Sequence, residues 1–232
     1  MEKLCARFTD VIVTINKEDY DFAKRKLRAG RIEYIPGVGI DTEKFGRGDR
    51  AAKRREMGIP EDAPLILSVG ELNGNKNHET VIRALGRSRH TDAHYLIVGK
   101  GDLKDSLTAL AKELSLEGRV HLLGYRTDVH EIYSAADIFV HPSYREGLPV
   151  AVIEAMASGL PIVASDIRGN RDLVKPEGGR LLSPDDVEAF ANEIDALIDS
   201  HEKRRAMGEF NRGEAEKYSS ATVNALTEQI YK

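Results

Sequence analysis

From Pro64 onward, short apolar runs alternate with longer segments whose apolar residues recur at helical spacing. Pro64 to Gly70 (PLILSVG), Ala93 to Val98 (AHYLIV), Val120 to Leu123, Asp137 to Val140, Pro161 to Ala164 and Arg180 to Leu182 predict strands. Between them, Thr80 to Arg89, Leu103 to Leu114, Val129 to Ala136 and a short stretch from Pro149 predict helices, the first with Val81, Ile82 and Leu85 as its apolar face. Such alternation implies an α/β fold, a doubly wound, Rossmann-like parallel sheet with right-handed crossovers. Upstream, residues 3–8 read as the end of a helix, Asp10 to Ile15 as a buried strand, Lys17 to Leu27 as a surface helix, and Arg47 to Met57 as a charged helix closed by Gly58. Residues 185–200 and 202–217 and Ser219 to Tyr231 complete the chain as helices.

The stretch 137–174 organises the rest. Its strand, its loop His141 to Leu148, its helix and its second strand outline a βαβ unit, and a ligand crevice in such a sheet lies beyond the carboxyl ends of the strands. Pro149 is read as the first helical residue, which leaves the amides around Gly147, Leu148 and Val150 free to cradle an anion such as phosphate. Glu154 is the only charge between Leu148 and Gly159 and is flanked by Val152, Ile153, Ala155, Met156 and Ala157, so a carboxylate there calls for hydrogen-bond donors such as a ribose diol. Glu146, at the lip of the crevice, is placed to accept from the hydroxyls of a neutral ligand such as a hexose. The plainer alternative makes Glu154 a solvent-facing residue near a helix start and Glu146 an ordinary loop charge.

Taken together as PSYREGLPVAVIEAMASGLPIVASDIRGN, with the E-x7-E pair Glu146 and Glu154, these residues resemble the donor-binding motif of retaining glycosyltransferases of the two-Rossmann-domain (GT-B) architecture, the large group 1 family. The resemblance implies that Glu146 contacts the transferred sugar and Glu154 the nucleotide ribose. In the loop Gly70 to His78 (GELNGNKNH), Lys76 can reach a phosphate as a point charge, or can be a loop charge bonded to Glu79. The family usually has G-R-x-x-x-x-K there. Glu71 holds the Arg position, so it either points elsewhere, for example toward Lys76, or weakens the site. Gly99-Lys100-Gly101 resembles the family's V-G-x-G, and Tyr125 and Arg126 fall where main-chain atoms bind the base. The resemblance thus implies Glu146 and Lys76 as catalytic residues and Gly70, Lys76, Gly99, Tyr125, Arg126, Glu146, Gly147, Leu148 and Glu154 as the donor site. A nucleotide sugar (UDP-, GDP- or ADP-linked) is the implied substrate, with no cofactor and no metal.

Residues 32–45 (IEYIPGVGIDTEKF) resemble the family's interdomain linker, with Gly37 at the place of the usual Asn. On that match, 1–36 is a remnant of an N-terminal domain and the start of the linker, 37–217 the C-terminal nucleotide-sugar-binding domain, and 218–232 the crossover helix. The remainder of the N-terminal domain would then be missing, leaving the chain alone inactive or slowly hydrolytic. Val223, Leu226 and Ile230 would form an exposed stripe able to drive self-association. A non-catalytic nucleotide-sugar-binding subunit that needs a separate acceptor-binding chain is the alternative, and a sugar epimerase or phosphorylase on the same architecture is a third.

Composition narrows the classes further. With 232 residues, a net charge of -4 and charges of both signs mixed, the chain can bury a sizeable core and shows no nucleic-acid surface. Cys5, the single cysteine, excludes an internal disulfide and fits a cytoplasmic chain, at the inner face of the membrane in a full-length enzyme. Asp19 and Asp21 form a D-x-D pattern, but two positions on a helix are about 200° apart, so the pair is discounted as a metal site. His78, His121, His130 and His141 lack ligand spacing for zinc, and His141 reads as a satisfied polar group at a strand end.

Overall fold

The computed structural model describes residues 2–231. Its strands are β1 (Val11–Thr14), β2 (Arg31–Tyr34), β3 (Leu65–Val69), β4 (His94–Val98), β5 (Val120–Gly124), β6 (Ile138–His141), β7 (Ile162–Ser165) and β8 (Gly179–Leu182). The helices are α1 (Glu2–Cys5), α2 (Lys17–Lys26), α3 (Arg50–Met57), α4 (His78–Arg87), α5 (Lys104–Glu113), α6 (Val129–Ala135), α7 (Val150–Ala157), α8 (Asn170–Leu173), α9 (Val187–Ile198), α10 (His201–Ala215) and α11 (Ser220–Tyr231). Six strands form one parallel sheet in the order β5-β4-β3-β6-β7-β8, and β1 and β2 pair in a separate parallel sheet. The order runs outward from β3 in one direction and from β6 in the other. A topological switch point therefore lies between β3 and β6, and in open parallel sheets the carboxyl ends of the strands at such a point are where a ligand is expected.

The near-continuous apolar strands follow from burial on both faces. Along β3, Leu65 and Leu67 face a core layer with α6 and α7, through Ile132, Tyr133, Val152, Ile153 and Met156. Ile66 faces the opposite layer with α4, α5 and α9, through Val81, Ile82, Leu107, Phe190 and Ile194. Each large aliphatic side chain so buried contributes about 1.5–3 kcal/mol. Helix starts are fixed locally: Asn16, Asp49, Asp186 and Ser200 accept from the amides of Asp19, Ala52, Ala189 and Lys203.

A buried staple closes the amino ends of β3 and β6. Arg54, 1% exposed, donates to the carbonyls of Pro60, Glu61, Ala63 and Ala135 and to Asp137 Oδ2 at 2.7 Å. Asp137 also accepts from the Leu65 amide and from Arg50.

Several expected boundaries move. Pro149 is the N-cap, with ψ 107°, and the helix begins at Val150. The charged helix starts at Arg50, because Asp49 caps it, and the short α8 follows β7 at Asn170–Leu173. The stripe on α11 is not exposed: Val223 is buried against Gly39, Leu226 and Ile230 are half-buried, Ile40 bridges Ser219, and Arg31 reaches the Ile230 carbonyl. Among the described residues no helix is long and apolar enough to cross a membrane.

Candidate functional site

Two loops meet at the switch point, one leaving β3 and one leaving β6. They are laced together: the Tyr144 amide donates to the Asn75 carbonyl, Asn75 Nδ2 to the Arg145 carbonyl, and Asn77 Nδ2 to the Pro142 carbonyl. Asn77 takes the left-handed conformation, φ 52°, that turns the first loop into α4. The Lys76 side chain lies back across Gly70, where an added Cβ would come within 3.3 Å of Lys76 Cδ. Its ammonium meets Glu146 Oε1 at 2.7 Å.

Glu146 Oε1 has a second partner, His141 Nε2 at 3.1 Å, and Ser143 Oγ stands 3.2 Å from that nitrogen. Burial alone would raise the Glu146 carboxyl, but hydrogen bonds from His141 and Lys76 outweigh it and hold the group down to about 2. Burial pushes His141 below the ordinary imidazole range, with Glu146 opposing.

Gly147 and Leu148 follow, and among the described residues their amides have no protein acceptor. An added Cβ at Gly147 would meet nothing within 4 Å, so the backbone is open to a ligand on that side. From behind, Gly169 (φ 84°) presses on the segment, its hypothetical Cβ 2.6 Å from the Gly147 carbonyl oxygen, which excludes any side chain there.

One turn into α7, Glu154 is partly buried. Tyr133 Oη lies 3.0 Å from Glu154 Oε2 and 3.0 Å from the Ala151 carbonyl. Burial raises the Glu154 carboxyl, with Tyr133 and then Lys44 opposing.

The remaining expected residues ring the same end of the sheet. The backbones after β3 and β4 touch: a Cβ at Gly99 would fall 1.8 Å from the Gly70 carbonyl oxygen, which is the physical content of the G-x-G signal. Tyr125 is 68% exposed beyond β5, with Lys100 Nζ 5.4 Å from its ring centre. Arg126 pairs with Glu56 and Asp128, so its side chain is committed to α3 and α6 and its main chain is left for other use. Glu71 does not pair with Lys76; it is exposed and accepts from Asn73 Nδ2, while Glu79 pairs with Arg83. Asp19 is engaged by Arg168 and by Asn16.

His141 is a satisfied polar group at the strand end, as its place in the sequence suggests, and its partner is Glu146. One contributor, Tyr133, lies outside the sequence reading; its signal was an aromatic residue with a polar tip inside an otherwise apolar helix face.

With this geometry in view, comparison with known proteins is direct. Residues 49–214 match the family model for glycosyl transferases group 1. The chain is 34% identical over 238 residues to EpsD of Bacillus subtilis (strain 168), a glycosyltransferase by provisional assignment, covering 100% of this chain and 62% of EpsD. It is 32% identical over 211 residues to the Escherichia coli UDP-Gal:alpha-D-GlcNAc-diphosphoundecaprenol alpha-1,3-galactosyltransferase, covering 86% of this chain and 54% of that enzyme. Among solved structures, sucrose-phosphate synthase from Thermosynechococcus elongatus superposes with a TM-score of 0.88 at 28% identity, over 99% of this chain and 59% of that one. Anabaena Alr3699/HepE, solved with UDP, shares the fold with a TM-score of 0.91 at 23% identity, over 99% of this chain and 65% of that one. The chain thus spans less than two thirds of the length of these relatives. It belongs to the group 1 glycosyl transferases, and its six-stranded sheet is the Rossmann-like half of a GT-B architecture.

Proposed function

We propose that this chain is the nucleotide-sugar-binding half of a retaining glycosyltransferase, which moves a hexosyl group from a nucleoside-diphosphate sugar to a glycan, lipid or small-molecule acceptor. The observation that carries this reading is the convergence at the switch point of one ammonium (Lys76), two free amides (Gly147 and Leu148) and a half-buried carboxylate (Glu146). Lys76 and the amides take the diphosphate and stabilise the charge that develops on it as the leaving group departs, a role that positive groups fixed in place can fill without a metal. Glu146 accepts from the sugar hydroxyls, and Glu154 from the ribose diol. The base lies against the main chain at Tyr125 and Arg126.

In the reaction the anomeric C–O bond breaks and the diphosphate leaves with the electron pair. The acceptor hydroxyl attacks the same face through an oxocarbenium-like state and loses its proton to the departing phosphate. The E-x7-E resemblance supports retention, and the relatives support the substrate class: one is named for UDP-galactose transfer, and HepE was also solved with UDP-glucose.

Calorimetric titration with UDP, GDP, ADP and their sugar conjugates tests the reading. One base is expected to bind at micromolar to millimolar levels, and Glu154→Gln to weaken it by about tenfold or more, the value of hydrogen bonds to a charged group. A folded chain that binds no member of the panel would sink the proposal.

A further inference from the structure

Glu146 receives Lys76 and His141 on the same oxygen, with the Ser143 hydroxyl as a further donor to the carboxylate. Lys76 Nζ at 2.7 Å and His141 Nε2 at 3.1 Å both meet Oε1, and neither uses Oε2. Because a carboxylate only accepts, His141 must carry its proton on Nε2, so the contact also fixes the tautomer.

The two donors differ in how firmly they are held. Lys76 ends a flexible four-carbon stem on a loop, and its side chain is 21% exposed. His141 closes β6, its side chain is 3% exposed, and its ring lies 14° from parallel to Phe139 with centroids 6.2 Å apart. A diphosphate arriving at the free amides competes for Lys76, since one ammonium faces a doubly charged group in place of a single carboxylate. Once Lys76 turns away, Glu146, with 13% exposure, depends on the buried donors that remain, His141 and the Ser143 hydroxyl beside it.

We propose that His141 is a positioning residue: it anchors Glu146 through Oε1, leaves Oε2 to a sugar hydroxyl, and keeps that anchor when the diphosphate draws Lys76 away. On this reading Lys76 exchanges Glu146 for the diphosphate when a donor binds, and the His141–Glu146 bond persists throughout. This rests on the donor-site reading above. The coupling has a consequence for specificity: His141 acts on the sugar half of the ligand and not on the nucleotide half.

The test compares UDP with UDP-glucose on the 232-residue chain, or the GDP or ADP pair if the chain binds that base, and takes the ratio of affinities as the contribution of the sugar. His141→Phe keeps an aromatic ring against Phe139 and removes the donor; His141→Gln keeps an N–H of similar reach. The expected result is that His141→Phe binds UDP within about twofold of wild type but loses about tenfold of the sugar contribution, and that His141→Gln restores most of it. If His141→Phe does not fold, His141→Asn, polar but too short to reach Oε1, takes its place with the same expectation. A His141 variant that keeps the full sugar contribution overturns the inference. So does one that weakens UDP and UDP-glucose equally, because that is the mark of a merely structural role. Wild type that binds UDP but gains nothing from glucose overturns the inference and leaves the nucleotide site standing. Wild type that binds no nucleotide overturns both.

Discussion

At the amino end of β6, Asp137 meets Arg54; beyond its carboxyl end, Lys76 and His141 meet Glu146. Both are ion pairs drawn out of water, with N···O distances of 2.7 Å. In the first, every group is committed. Arg54 spends its donors on four carbonyls and a carboxylate, and both Asp137 oxygens are occupied. In the second, the lysine has one carboxylate partner on a mobile stem, and two amides nearby have none. A buried ion pair whose capacity is used up holds backbone in place, while one with capacity in reserve can exchange partners with a ligand.

The sharpest way to break this contrast is to cut each pair. Asp137→Asn leaves Arg54 charged in a site where it is 1% exposed, and it is expected to cost about 3–5 kcal/mol in denaturant unfolding, the usual price of an uncompensated buried ion. Glu146→Gln keeps an acceptor for Lys76 and is expected to cost about 2 kcal/mol. An equal or larger loss in Glu146→Gln would mean that the carboxyl-end pair is structural as well, and the distinction would fail.

The pH dependence sharpens the same comparison. Glu146 is held to about 2 against an ordinary 4.5, so its pairing stabilises the fold above about pH 4.5 and is lost as pH falls through the folded value. Wild type should therefore lose about 3 kcal/mol in that window beyond what Glu146→Gln loses. Parallel acid limbs for the two proteins would refute the assignment.

How much of this was legible without coordinates follows from what local pattern can encode. Strand ends, Gly-bearing loops and the helix after Pro149 are local, and they placed Lys76, Glu146 and Glu154 at one end of one sheet. Which group each residue touches is not local. Lys76 and Glu146 are joined across the switch point, and Glu71, nearer to Lys76 in sequence, turns to Asn73 instead. The partner of the Arg126 side chain, Glu56 of α3, is likewise distant in sequence. The apolar stripe of α11 carried no sign of its cover, because Gly39 and Ile40 come from the far end of the chain. Periodicity shows that a face is buried; it does not name the partner.

The smallest effect lies in the second glutamate, where the environment acts in the opposite direction. Burial raises Glu154 and only Tyr133 and Lys44 restrain it, so deprotonation costs stability as pH rises past its ordinary value, the reverse of Glu146. Ribose hydroxyls that donate to this carboxylate favour its charged form, and a nucleotide that binds at acid pH must expel whatever proton the group still holds. Tyr133→Phe removes the one hydroxyl that the fold aims at Glu154 and drives the group higher still. UDP, or whichever nucleotide the chain selects, should then bind about two- to fivefold more weakly, with the deficit growing toward acid pH. Calorimetry in buffers of different ionisation enthalpy should find more protons released by the variant than by wild type. The nucleotide's own ionisation is common to both proteins and cancels in that difference. Equal proton release would mean that Glu154 does not face the ligand, leaving Tyr133 and Glu154 as a pair that, like Arg54 and Asp137, serves only the fold.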